Sequence, residues 1–187
     1  HDRTEVIEPG GVSTRFEVGL FSELLSLADD EGAIAAYTYD LRGNRLTINH
    51  RDAGERRQWF DANDDIIRTL DAEGNDVTVT RDPEGRLLTV SRNGAQVEQY
   101  SYDDAAPGAD GRLGRAVYAG GQQELTYDAR GRLTEHDYTI NGQVLSLRYE
   151  YNDMGKLTAL TYPDGTRVAR SYYRNGMTRS IEGVIDE

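Results

Sequence analysis

The chain has 187 residues, a formal charge of −12 and a mean hydropathy of −0.70, with only 37% hydrophobic residues. The length suits a single domain, but the apolar content is low for a thick enclosed core. The charge argues against phosphate backbones and anionic membrane surfaces, which are captured by clustered Lys and Arg, and leaves a basic or neutral partner open. There is no cysteine, so neither disulfides nor thiolate-bound zinc can hold the fold. No apolar run approaches the ~20 residues that span a bilayer.

Residues 1–15 read as an N-terminal extension, expected to be partly disordered, and residues 16–187 as one repeat domain. The opening HDRTEVIEPGG lacks the basic and apolar regions of a signal peptide. His1 reads as a tag remnant. The chain is expected to be a piece of a longer polypeptide whose export signal lies elsewhere. In the segment Phe16 to Leu27 (FEVGLFSELLSL) an eroded copy of the later repeat can be traced. Within it Leu20 to Asp29 is the only stretch compatible with a short helix, a degenerate hairpin being the alternative.

From Tyr37 onward one pattern returns: aromatic, any residue, Tyr, Asp, two residues, Gly, then Arg or Lys and Leu. Copies read YTYDLRGNRL, TRDPEGRL, YSYDDAAPGADGRL, TYDARGRL and YEYNDMGKL, and Asp40, Asp61, Asp82 and Asp103 stand 21 residues apart. The step then loosens to Asp128, Asn152 and Arg174, with the loop Asp104 to Asp110 absorbing the first extra length. Seven or eight units cover nearly the whole chain, so the repeat decides the architecture.

Each unit carries two turn signals. Asp, two residues and Gly suits a type I turn: the Asp carboxylate bonds the turn backbone, and Gly takes positive φ without a Cβ clash. Asp40/Gly43, Asp82/Gly85 and Asp128/Gly131 fit, Asn152 with Gly155 follows the same plan, and Asp64 stands where Gly is expected after Asp61. Halfway along come Asp52-Ala-Gly54, Glu73-Gly74-Asn75, Asn93-Gly94, Gly120-Gly121, Asn141-Gly142 and Pro163-Asp164-Gly165; Asn-Gly is the strongest short hairpin signal.

Turns every ten or so residues predict an all-β meander. Alternation puts Leu145, Leu147, Tyr149 and Tyr151 on one face and Val144, Ser146, Arg148 and Glu150 on the other. Leu46 and Ile48 are likewise set against Arg45, Thr47 and Asn49. About fifteen strands at ~4.8 Å would extend roughly 70 Å, and open sheets seldom exceed ~10 strands without curling or splitting. The expected fold is therefore all-β: tandem hairpin repeats of about 21 residues in a long, curved or spiralling antiparallel sheet.

Tyr-Asp followed by xxGRL at this period resembles the YD-repeat (Rhs-repeat) family of bacterial Rhs and wall-associated polymorphic toxins, toxin-complex C components and animal teneurins. The likeness runs over residues 16 to 178. It implies hairpins joined in a strip that spirals into a hollow shell able to enclose a toxic C-terminal domain. The DPxGL-type segment that such shells carry near self-cleavage has only a superficial counterpart in Asp82-Pro83-Glu84-Gly85-Arg86-Leu87, which sits in repeat register with Arg before Leu. It reads as an ordinary turn, and no protease or toxin activity carries over.

The residues themselves offer no convergent catalytic set. His50 and His136 lie about four repeats apart, neither flanks a nucleophile elbow, and two isolated imidazoles fall short of a transition-metal site. The aspartates recur with the period, as turn caps do, whereas an acid pair would stand at one place. Asp61-Ala-Asn63-Asp-Asp65 begins like a calcium loop, but Ile66 replaces the required Gly and Ala72 the bidentate Glu. Asp29-Asp30-Glu31 and Asp103-Asp104 read as solvated turns.

The structural motif is assigned to Tyr39, Asp40, Gly43, Asp61, Asp82, Gly85, Tyr102, Asp103, Tyr127, Asp128, Gly131, Tyr151 and Gly155. A tyrosine ladder packing neighbouring hairpins is expected. Trp59, Tyr37, Tyr100 and Tyr149 are the candidate ligand surface. The expected role is a non-enzymatic shell or scaffold segment without catalytic residues, metal or cofactor, belonging to a larger secreted or surface bacterial toxin-type protein. Its partners would be the remaining repeats or domains of the parent polypeptide, an encapsulated toxin domain or a glycan; no nucleic acid and no membrane span are expected. A glycan- or cell-surface-binding module using Tyr ladders and the Asp104 to Asp110 loop is the alternative.

Overall fold

Dense turn chemistry and short alternating runs give, in the computed structural model, a chain of strands. Residues 2–7, 13–102 and 108–183 are described, and among them there are seventeen strands and no helix. No helix of the described residues is long and apolar enough to cross a membrane. Asp103, and residues 104–107 of the loop read as a binding element, lie outside the described residues, as does His1.

The chain divides into two compact units, His1–Gln96 and Val97–Glu187. The first holds β1 (Asp2–Ile7), β2 (Ser13–Val18), β3 (Leu24–Asp29), β4 (Gly32–Tyr39), β5 (Arg45–His50), β6 (Gly54–Phe60), β7 (Ile66–Leu70), β8 (Asp76–Arg81) and β9 (Leu87–Arg92). β10 (Ala95–Tyr102) straddles the boundary. The second continues with β11 (Leu113–Tyr118), β12 (Gly121–Tyr127), β13 (Leu133–Ile140), β14 (Gln143–Tyr151), β15 (Leu157–Thr161), β16 (Arg167–Tyr172) and β17 (Thr178–Glu182). Within each unit consecutive strands pair antiparallel, as in β4 with β5 and β13 with β14.

The stretch from Leu20 to Asp29, open between helix and hairpin, is a turn followed by β3. β1 and the first residues of β2 fall in the segment read as an N-terminal extension, where they pair from Asp2↔Val18 to Ile7↔Ser13.

A feature that the motif does not announce recurs beside every Tyr-Asp turn. Thr126 pairs with Glu135 but Tyr127 with Leu133, so Thr134 is an extra residue, a β-bulge. The same shift falls at Val18, Tyr39, Phe60, Arg81, Tyr102, Tyr151 and Tyr172. The bulge resets the alternation after each turn. Hence Arg45, expected opposite Ile48, shares its face: the guanidinium lies 5.8 Å from the Tyr37 ring centre.

In both units the sheet is a single layer. Among the described residues each strand contacts only its sheet neighbours, and the buried residues are small or medium-sized: Ala35, Val90, Ala109, Ala116, Ala159 and Ser13. Ring and leucine side chains are half-covered by cross-strand neighbours, and among the described residues of each unit no second layer of strands seals them.

Candidate functional site at the repeat junctions

The turn aspartates do what their spacing demands. Oδ1 of Asp128 accepts from the backbone N–H of Arg130 at 2.9 Å and of Arg132 at 3.0 Å. Asp40, Asp61 and Asp82 each cap the residues two and four positions on, and Asn152 does so for Met154 and Lys156. The closing residue takes positive φ, with Gly43, Gly85, Gly131 and Gly155 between 74° and 90° and Asp64, standing in for Gly, at 67°. Asn93-Gly94 and Asn141-Gly142 hold positive φ at both positions, as a primed hairpin turn requires.

Three turns start earlier than the motif suggests. The Pro163-Asp164-Gly165 turn begins at Tyr162, to whose carbonyl Gly165 donates at 2.9 Å. The Glu73-Gly74-Asn75 turn begins at Asp71, which caps Glu73 and Asn75. The last turn begins at Tyr173 rather than Arg174, since Gly176 donates to the Tyr173 carbonyl.

Units are joined by the tyrosine and by the basic residue of the GRL or GKL segment. The Tyr151 hydroxyl donates to the Leu133 carbonyl at 2.9 Å, across from the bulge of the preceding unit. Tyr39 reaches Leu24 in the same way, Tyr127 reaches Leu113, and Tyr172 reaches Leu157. A bulge disrupts its ladder locally, and the hydroxyl is bonded beside it.

Arg132 completes the junction. It is ion-paired with Asp128 of its own turn at 2.6 Å, donates to the Asn152 carbonyl of the next turn at 3.0 Å, and lies 4.8 Å from the Tyr151 ring centre. Arg112 over Tyr127 and Lys156 over Tyr172 repeat the ring contact. Arg42 and Arg130 reach the next turn's carbonyls from two positions earlier. These basic residues were visible in the motif, but their cross-unit role was not.

Electrostatics follow from this. Hydrogen bonds from the Arg132 side chain and backbone hold the Asp128 carboxyl at about 2 against an ordinary 3.8. Burial pushes the Tyr151 and Tyr127 hydroxyls up, and the nearby guanidinium opposes it. Tyr100 is pushed up to about 12, first by its 2.7 Å hydrogen bond to Glu98 and then by burial.

The candidate ligand surface does not form one patch. Tyr37 shares its face with Tyr39, whereas Trp59, next to Phe60 in β6, points to the other face: it pairs with Arg68. The Arg68 guanidinium lies 4.6 Å from the Trp59 ring centre and makes a two-pronged bond to Asp76 at 2.9 and 2.8 Å. One Trp59 face is thus occupied. Tyr100 and Tyr149 belong to β10 and β14 of the second unit.

The remaining candidates are equally dispersed. Among the described residues no three metal-ligating side chains converge. His136 is 3.0 Å from the Gln123 amide oxygen and stacks 3.9 Å from Tyr138; burial lowers its pKa, with Asp137 opposing. His50, in the other unit, accepts the Asp52 N–H at 3.2 Å. The described end of the long loop folds inward: Ala109 is fully buried, and a Cβ on Gly108 would meet the Asp128 carbonyl oxygen.

Bulged hairpins stitched by Tyr, Asp and a basic residue define the class, a tandem β-hairpin repeat, and part of it matches a known family. Residues 127–167 match the family described as RHS Repeat, beginning at the Tyr127-Asp128 pair. No curated protein matches the sequence. The fold is similar to a TccC3-mutant Tc holotoxin pore from Photorhabdus luminescens (17% identity, TM-score 0.68, 90% of this chain and 10% of that one). It is also similar to TcdB2-TccC3-Cdc42 (17%, 0.69, 93% and 10%) and to TcdB2-TccC3 without its hypervariable C-terminal region (17%, 0.69, 95% and 11%). The chain thus spans about a tenth of the length of these structures.

Proposed function

We propose that this chain is a wall segment: a run of RHS repeats in a larger toxin-type protein, built to enclose or display other domains rather than to catalyse. The observation that carries this reading is the single-layer sheet, in which each strand contacts only its neighbours and no large side chain among the described residues is fully buried. Repeat arrays of this kind put their stability into units and nearest-neighbour interfaces. The polar residues that could serve chemistry are spent on those interfaces, Asp128 on its turn and Tyr151 on the Leu133 carbonyl. Secretion and an extracellular site of action belong to this reading through the fold likeness to toxin complexes.

Tyrosine rings covered by guanidinium groups and hydroxyls bonded to carbonyls favour packing over sugar stacking, so the glycan-binding alternative is set aside. The test is turnover on panels of glycan, ester and peptide substrates, which should stay flat. Reproducible turnover abolished by replacing one Asp or Glu would end the wall reading.

A further inference from the structure

In the first unit, charge is segregated between the two faces of the sheet in a way that neither the net charge nor the repeat explains. Strands β4 to β9 contain two carboxylates, Glu55 and Asp76. Glu55 pairs with Asn49 and Asp76 with Leu70, which places both on the face that bears Trp59. Both are neutralised there, Glu55 by Arg57 at 2.9 Å and Asp76 by Arg68 at 2.8 Å.

The aromatic face of the same strands is different. Arg45 lies over Tyr37, Arg56 pairs with Ile48, Arg92 pairs with Val77, and Arg81 follows Val79 by two positions along β8. None of the four has a carboxylate within ion-pair distance among the described residues. Arg81 bonds only the Gly85 carbonyl, at 3.1 Å, and its Nε is buried with no acceptor. From the turns at the strand ends Asp52, Asp71 and Glu73 line a cavity with Arg56, but none lies within ion-pair distance of it, and Asp71 is held low chiefly by Asn75 and only weakly by that arginine. Within the unit no strand packs over this face.

A guanidinium lowered onto an apolar face without an anion is unfavourable, and one buried N–H left unbonded is more so. Arg81 is that half-buried case, with Arg45, Arg56 and Arg92 as solvent-exposed cations on the same face; the four among Tyr37, Ile48, Phe60 and Val79 make a surface complementary to one kind of occupant. We propose that the aromatic face of β4 to β9 docks an acidic, apolar polypeptide segment, its carboxylates meeting Arg45, Arg56, Arg81 and Arg92 and its apolar side chains lying on the rings. Bidentate guanidinium–carboxylate geometry suits that partner. A second copy presenting the same face is disfavoured by like charge. The proposal rests on the wall reading for the statement that this face is turned to a partner, and it names the partner's chemistry.

The experiment is a fluorescence-anisotropy titration of the full chain with labelled peptides alternating Glu with Leu, Lys with Leu, and Glu with Ser. The Glu/Leu peptide should bind saturably, at least roughly tenfold more tightly than either other peptide, and should weaken with salt. The combined R45Q, R56Q, R81Q and R92Q variant should lose at least about tenfold in affinity, whereas R57Q on the opposite face should not. Unchanged Trp59 fluorescence and urea midpoint would show that the variant is folded; if it is not, R45Q with R92Q, both exposed, carries the test.

Equal or tighter binding of the Lys/Leu peptide, equal binding of Glu/Ser, or full affinity in the arginine variant would overturn the proposal. Those outcomes would leave the wall reading intact. That reading falls instead to substrate turnover, which the titration does not measure.

Discussion

The hydroxyl of Tyr151 donates to the backbone carbonyl of Leu133, eighteen residues upstream, at 2.9 Å. One phenol thereby ties the opening strand of one unit to the closing strand of the unit before. Tyr127 with Leu113 and Tyr172 with Leu157 repeat the tie at other repeat junctions. This gives the tyrosine of the motif a reason that ring packing alone does not supply.

Tyr151→Phe should therefore cost about 1 kcal/mol in a urea melt, the typical net worth of a hydrogen bond plus part of the cost of an unsatisfied carbonyl. Tyr37 has no hydroxyl partner among the described residues, so Tyr37→Phe should stay within about 0.5 kcal/mol. Equal losses at the two positions would show that the junction bond contributes nothing.

Gly131 holds φ at 74°, and a Cβ there would meet the Arg112 guanidinium 2.7 Å away; Gly155 has φ 78° with open space around it. Both valine substitutions should cost more than ~1 kcal/mol, because a β-branched residue resists the left-handed region. Gly131→Val should be the worse, and Arg112→Ala in the same chain should narrow the gap. Gly176, at φ 81° with Lys156 at 3.0 Å, shares the constraint although its unit matches the motif weakly.

Acid should act through Asp128. Its folded pKa of about 2 lies below the ordinary 3.8, so its contribution is complete above about pH 4 and is lost as pH falls toward 2. Carboxyl-carbon NMR should follow this titration directly. Arg132→Gln should move the midpoint up toward the ordinary value, and an unmoved midpoint would separate the ion pair from the shift.

How much of this could be read beforehand depends on range. The Asp-x-x-Gly and Asn-Gly turns are local chemistry, and their residues alone give hairpins, period and even the substitute role of Asp64. The Arg132 contact to Tyr151 and the bond from Tyr151 to Leu133 join residues 19 and 18 positions apart, which one copy of the motif cannot disclose, and the bulge beside Tyr127 shows only in the pairing across the turn. Alternation did hold the face of Trp59, since Phe60 fills the Tyr position beside it, but aromatic type drew attention from parity. Arg45 misled for the converse reason: the bulge at Leu46 changes parity where a plain strand would keep it.

Calcium should matter little. Asp61 Oδ1 already accepts the N–H groups of Asn63 and Asp65, at 2.8 and 3.0 Å, leaving fewer lone pairs than a hard cation needs. Millimolar-range calcium or chelator should shift Tm by no more than roughly 2 °C, on the order of a few tenths of a kcal/mol. A saturable larger shift would locate a site at that turn.

The central claim, that stability resides in units and their nearest-neighbour junctions, is tested most directly by deletion measured in urea melts. Removing residues 61–81 takes out one full period, from one turn aspartate to the residue before the next, and preserves strand direction and junction chemistry. Removing 61–70 alone takes out β7 and reverses the direction of everything after it. The account predicts a shorter chain that still unfolds cooperatively in the first case and loss of cooperative folding in the second. Equal damage from the two deletions would contradict it.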